Sequence, residues 1–142
     1  MVTPLAVGAM PANESEKTEK ITINLGFVDL GQIDLLVQEG FYTNRTDFIR
    51  AAIRAQLGAR TAAVDQTVAR RTLVLGTQHY TCRQLEEIRD AGQMVQIRVL
   101  GLASIAEDVS PELALATIAS VEVLGAFRAS SAVRAALAPR IA

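Results

Sequence analysis

Residues 20–25, Lys-Ile-Thr-Ile-Asn-Leu, alternate polar and apolar without a break. That is the period of a half-buried strand. Ile21, Ile23 and Leu25 share one face, and Lys20, Thr22 and Asn24 share the other. A single amphipathic strand cannot stand alone, because its backbone donors and acceptors need a partner. Two copies pairing antiparallel would satisfy the central groups. Ile21, Ile23 and Leu25 of both chains would then rest on helices. The plainer alternative is an ordinary edge strand with one wet face.

Helices are expected next. Gly26 ends the strand, and residues 29–39 place Leu30, Ile33, Leu36 and Val37 at helical spacing. Asp29 suits the positive end of the helix dipole, and Gly40 is placed as the C-terminal stop. A turn follows. Asn44 is a good N-cap, with Asp47 at the capping-box position. Phe48, Ile49, Ala52, Ile53 and Leu57 then form an apolar face, with Arg50 and Arg54 on the polar side and Gly58 as the expected close. The core of such a dimer would be Ile21, Ile23, Leu25, Ile33, Leu36, Phe48, Ile49 and Ile53. Residues 59–72 are Ala-rich and polar, with Ala63, Val64 and Val68 at helical spacing; a helical linker is expected there.

The remainder contains a repeat. Val74-Leu75-Gly76, Val99-Leu100-Gly101 and Val123-Leu124-Gly125 recur at intervals of 25 and 24 residues. A period in the twenties suits units of one strand plus one helix. Each triplet is followed by a helix-start signal: Thr81 with Gln84 three residues on, Ser110-Pro111-Glu112, and Ser130. Ile97-Arg98-Val99 and Val121-Glu122-Val123 alternate like strands. Three tandem β/α units are expected, their strands side by side in a short parallel sheet with helices opposite. The predicted fold is therefore α+β. Residues 1–16 form a flexible tail and 17–58 a strand-helix-helix dimer domain. Residues 59–72 are the linker, and 73–142 form a short solenoid-like, leucine-rich-repeat-like domain.

Composition narrows the function classes. The sole histidine, His79, and the sole cysteine, Cys82, give no metal cluster and no disulfide framework. They are close enough in sequence to suggest a thiolate–imidazolium pair, but a loop histidine beside an ordinary thiol is the reading preferred. Glu86-Glu87 and Glu107-Asp108 read as solvated surface acids. The glycines are spread singly and build no phosphate loop. No cofactor and no catalysis are expected. No apolar run reaches a membrane span's length and no signal peptide is read in residues 1–12, so a cytoplasmic protein is expected. Residues 1–57 carry five basic residues (Lys17, Lys20, Arg45, Arg50, Arg54) against seven acids (Glu14, Glu16, Glu19, Asp29, Asp34, Glu39, Asp47). Any nucleic-acid contact must come from local clustering of charge and from backbone donors.

An antiparallel two-stranded ribbon fits the major groove of DNA. Lys20, Thr22 and Asn24 are chemically suited to base edges: Lys donates to guanine, Asn bonds adenine bidentately, and Thr bonds a base or touches a thymine methyl. Backbone N–H groups at Thr43, Asn44, Arg45 and Thr46, with the Arg45 side chain, are placed to hold a phosphate. Residues 20–25, the stop at Gly40 and the stretch Tyr42-Thr-Asn-Arg-Thr-Asp-Phe-Ile-Arg-Ala-Ala-Ile53 together resemble the ribbon-helix-helix, CopG-like family of bacterial regulators. The resemblance covers about forty residues. It implies a homodimer bound to double-stranded DNA, with Lys20, Thr22 and Asn24 on the bases and the Asn44–Thr46 turn on phosphate. Gly26-Phe27-Val28 departs from the family's usual Pro and acids. A nucleoid-associated transcriptional regulator is the expectation, its repeats mediating higher-order assembly or binding a protein partner. A scaffold that uses the N-terminal part only to dimerise, and an antitoxin, are the alternatives.

Overall fold

The computed structural model describes residues 18–142; the tail expected over residues 1–16 lies outside them. The described chain divides into two compact units, residues 18–67 and 68–142. The elements are α1 (Phe27–Gln38), α2 (Arg45–Ala59), α3 (Thr61–Arg71), β1 (Val74–Tyr80), α4 (Cys82–Asp90), β2 (Val95–Ile105), α5 (Pro111–Thr117), β3 (Ile118–Arg128) and α6 (Ser131–Leu137). A short 3-10 turn, Ala138–Arg140, follows.

In the first unit α1 packs against α2. Helix α1 starts earlier than the apolar spacing indicated. Gly26 is its N-cap, in extended conformation, and Phe27 and Val28 occupy its first turn. Its end is as expected. Gly40 adopts φ +85 and donates to the Val37 carbonyl, and the Phe41 N–H reaches back to the Leu36 carbonyl at 3.0 Å. This pair of bonds satisfies two orphan carbonyls, and the left-handed turn they need favours glycine. Gly58 is a correction. It lies inside α2, which runs on to Ala59 and closes at Arg60, whose φ is −113. A turn made by Arg60 needs no left-handed residue, and α3 begins at once, so Gly58 terminates nothing.

The second unit holds the core. Its strands form one parallel sheet in the order β1-β2-β3. The three triplets lie in register across it: Val74 beside Val99 and Val99 beside Val123, with the leucines and glycines following in step. The expected helix starts are all present. Thr81 and Gln84 make a complete capping box, and Ser110 and Ser130 each accept from the N–H three residues on. Leu85, Leu113, Ala114, Val133 and Leu137 of the helices bury themselves against Ile97, Val99, Ala103, Ile118 and Val121 of the strands. The other face of the sheet carries Leu75, Leu100 and Leu124 in one row.

The glycine of each triplet has its own physical reason. Gly76, Gly101 and Gly125 adopt φ of +132, +139 and +121, a region that L side chains rarely enter. A Cβ on Gly101 would lie 2.1 Å from the Gly76 carbonyl oxygen, and one on Gly125 would lie 2.1 Å from that of Gly101. The strands thus kink together, and each kink directs a carbonyl at the next strand's glycine.

On the leucine-bearing face Glu122 accepts from two cations. Arg71 at the end of α3 bonds one carboxylate oxygen, and Arg98 Nε donates to the other at 3.1 Å. The Arg71 hydrogen bond, aided by Arg98, holds the Glu122 carboxyl below the usual glutamate range against the opposing effect of partial burial. A depressed folded pKa contributes stability that is full above the unfolded value, about 4.3, and is lost as pH falls through the folded value.

Two predictions follow from these contacts. Ala in place of Gly101 should cost about 3 kcal/mol or more, from strain plus a backbone collision. Gly58→Ala, in an open helical site, should raise stability by roughly 0.5–1 kcal/mol. Denaturant titration of each variant checks the pair; a destabilised Gly58→Ala would restore Gly58 as a left-handed terminator. Separately, unfolding midpoints measured from neutral pH down to about 3 should fall less steeply in Glu122→Gln than in the parent chain. Parallel profiles would show that the Arg71–Glu122–Arg98 cluster does not govern acid stability.

Candidate nucleic-acid interface

Residues 18–26 belong to no helix or strand, and residues 19–26 have no ladder partner among the described residues. Lys20, Thr22 and Asn24 are exposed. Their apolar neighbours are exposed too, with Ile21 at 74% and Ile23 at 57%. Leu25 lines a groove with Ile33, Leu36 and Phe48, edged by Asp29 and Gln32. Of the expected dimer core, Ile33 is buried, Leu36, Phe48 and Ile49 are half-buried, and Ile53 is exposed. Ile33 is the one buried residue among residues 18–67. Phe27, Leu35, Phe41 and Leu57 add further exposed apolar surface.

The turn into α2 is built from its own side chains. Asn44, in extended conformation, accepts from the Asp47 N–H at 2.8 Å through Oδ1. The Asp47 carboxylate answers, but it takes the Thr43 N–H at 3.0 Å rather than that of Asn44. The box is displaced by one residue. Tyr42 and Phe48 meet edge to face at 5.0 Å and pin the entering chain to the helix.

This arrangement divides the four residues expected on phosphate. The Thr43 N–H is already spent on Asp47. The backbone N–H groups of Arg45 and Thr46 open the first turn of α2, where helix geometry leaves donors without an intrahelical acceptor. The Arg45 side chain is engaged elsewhere. Its Nε and Nη2 form a two-pronged bond to Asp34 of α1 at 2.7 and 2.8 Å. That bond is the main reason the Asp34 carboxyl sits below its ordinary range. Arg45 therefore fixes the turn to α1, and its charge is paired with that of Asp34 where phosphate was expected. Asp34 was not singled out from sequence, since periodicity gives no sign of a partner eleven residues away.

His79 and Cys82 form no pair. His79 Nδ1 lies 2.7 Å from Ser104 Oγ, its register partner on β2. The Cys82 thiol is raised above its ordinary pKa, chiefly by desolvation and then by Glu86 and Asp108, with Arg89 opposing. A thiol so shifted is a poor nucleophile at neutral pH. Glu122 was likewise missed, although the triplet spacing alone aligns it with Arg98. No helix of the described residues is long and apolar enough to cross a membrane.

No curated protein and no solved structure matches the chain significantly. The profile of the ribbon-helix-helix transcriptional regulator family matches residues 16–134, which takes in both the first unit and nearly all of the repeat unit. The match spans well over half of the sequence, and the chain belongs to the ribbon-helix-helix transcriptional regulator family.

Proposed function

We infer that the protein is a DNA-binding transcriptional regulator that acts as an intertwined homodimer. The observation that carries this reading is the state of residues 18–67. Ile21, Ile23 and Leu25 alternate with Lys20, Thr22 and Asn24, yet they are exposed, and the unit buries Ile33 alone. A unit this size with so small a core is not self-sufficient. A second copy supplies what is missing. Two such segments, paired antiparallel, satisfy each other's central backbone groups. Their apolar faces cover the grooves lined by Leu25, Ile33, Leu36 and Phe48.

The outer face of that ribbon then presents Lys20, Thr22 and Asn24 twice, in a form that enters the major groove. The Arg45 and Thr46 N–H groups at the start of α2 grip a phosphate on either side. Arg50 and Arg54, exposed on α2, add positive charge. The β/α repeats of residues 68–142, a short solenoid, join dimers into larger assemblies, which gain avidity on tandem sites. The protein works in the cytoplasm, at the nucleoid.

A second reading has one observation behind it. Residues 1–57 hold seven acids against five basic residues, and Arg45 is neutralised by Asp34. An acidic dimer suits a scaffold whose first unit only pairs chains. DNA binding separates the two. A site selected from genomic fragments should bind far more tightly than random duplex, with affinity falling steeply as salt rises. Lys20→Ala with Asn24→Ala should weaken that site by about 1,000-fold or more, at roughly 1–3 kcal/mol for each of the four base contacts the dimer loses. Unchanged affinity, or no selectable site even at low salt, sinks the regulator in favour of the scaffold.

A further inference from the structure

The two outer edges of the sheet match each other. Among the described residues, strand β1 has a neighbour on one side only. The Ala106 N–H donates to the Tyr80 carbonyl, so the backbone groups of Tyr80 face β2. By alternation those of Gly76 and Gln78 do the same, and those of Leu75, Thr77 and His79 point outward, unpaired among the described residues. On the far edge, the Ala142 N–H donates to the Val121 carbonyl, so Val121 faces away from β2. Val123, Gly125 and Phe127 face outward with it.

These are complementary phases. Within the chain, Gly101 of β2 faces β3 and lies in register with Gly125. Gly125 faces outward in the same sense, and an added strand beside it must offer its Leu75- and Thr77-equivalent groups inward. Those are the groups that β1 leaves free. The glycines agree. A Cβ on Gly101 or Gly125 would strike the carbonyl of the preceding strand's glycine, whereas one on Gly76 would meet nothing within 4 Å. The space beside Gly76 is the seat that a further glycine carbonyl fills in the other two strands.

The lengths fit as well. The C-terminal residues cover β3's outer edge at Val121 only, through a parallel bridge from Ile141. Strand β1 begins at Val74, the register equivalent of Val99 and Val123, beyond that bridge. The segment of β3 left uncovered is the segment β1 can match.

We propose that the repeat units of separate molecules add head to tail, the outer edge of β1 in one copy pairing in parallel with the outer edge of β3 in the next, with Val74, Leu75 and Gly76 beside Val123, Leu124 and Gly125. This specifies the assembly role proposed above and rests on it. The row of Leu75, Leu100 and Leu124 then runs on from copy to copy. Such an interface is heterologous and does not close on itself after two copies. It removes the edges that would otherwise pair indiscriminately.

Cross-linking of the full chain tests the register. Thr77 lies beside Leu102 and Leu102 beside Ala126, so Ala126 of one copy neighbours Thr77 of the next. Adjacent strands are about 4.8 Å apart, inside the span a disulfide bridges. With Cys82→Ser as background, Thr77→Cys and Ala126→Cys combined should give, on mild oxidation, a covalent ladder longer than two chains. Either cysteine alone should give none. Thr77→Pro removes an outward N–H at an edge where Pro is tolerated; with an unchanged circular dichroism spectrum it should lower the mass in solution to that of the dimer. Cross-linking by Thr77→Cys alone would mean β1 pairs with itself and overturns the proposal. Mass above the dimer without the two-cysteine ladder overturns the register but not the assembly role. A strict dimer at all concentrations overturns both, and none of these outcomes bears on DNA binding.

Discussion

A strand's backbone must find a second strand, and the described residues do not supply enough of them. Residues 19–26 have no ladder partner among the described residues. Among those residues strand β1 is paired on one side, and β3 is covered on its outer side only near Val121. What the two units have in common is this shortage. In the first it coincides with an unburied apolar face, and in the second with a well-packed core. In the proposed dimer the first unit gains from its partner the burial that it lacks, whereas in the proposed assembly the second only extends.

The difference shows in how each unit is held. Residues 68–142 bury Leu85, Ile97, Val99, Ile118, Val121, Val133 and Leu137 completely, and their helices are capped by side chains that the sequence carries at the right spacing. In residues 18–67 local devices dominate. The Gly40 turn, the Asn44–Asp47 exchange and the Arg45–Asp34 fork each fix a connection. All three are exposed or nearly so, and exposed pairs contribute little to stability. They fix how α1 meets α2.

Much of this was legible beforehand, for identifiable reasons. The triplets Val-Leu-Gly predicted a parallel register that the sheet follows pair by pair, because a tandem repeat places equivalent residues side by side. Thr81, Ser110, Ser130 and Asn44 were found because a cap acts over three residues. What escaped was long-range or conformational. Nothing in the spacing ties Arg45 to Asp34. The need for glycine at Gly101 comes from a carbonyl of another strand. Gly58 looked like a stop, but a glycine marks a helix end only where the chain turns left-handed, and there Arg60 makes the turn. Lys20, Thr22 and Asn24 could be assigned a face, but a face becomes a site only once a ribbon forms.

That ribbon is the central claim. Amide hydrogen exchange of the full chain, free of DNA, measures it directly at Ile21, Thr22, Ile23 and Asn24. The account predicts slow exchange at alternate amides in this stretch, comparable with those of α1 and dependent on protein concentration as a dimer requires. Exchange at the rate of an unstructured chain, at concentrations where the protein is dimeric, would contradict it and would remove the base-reading face with it.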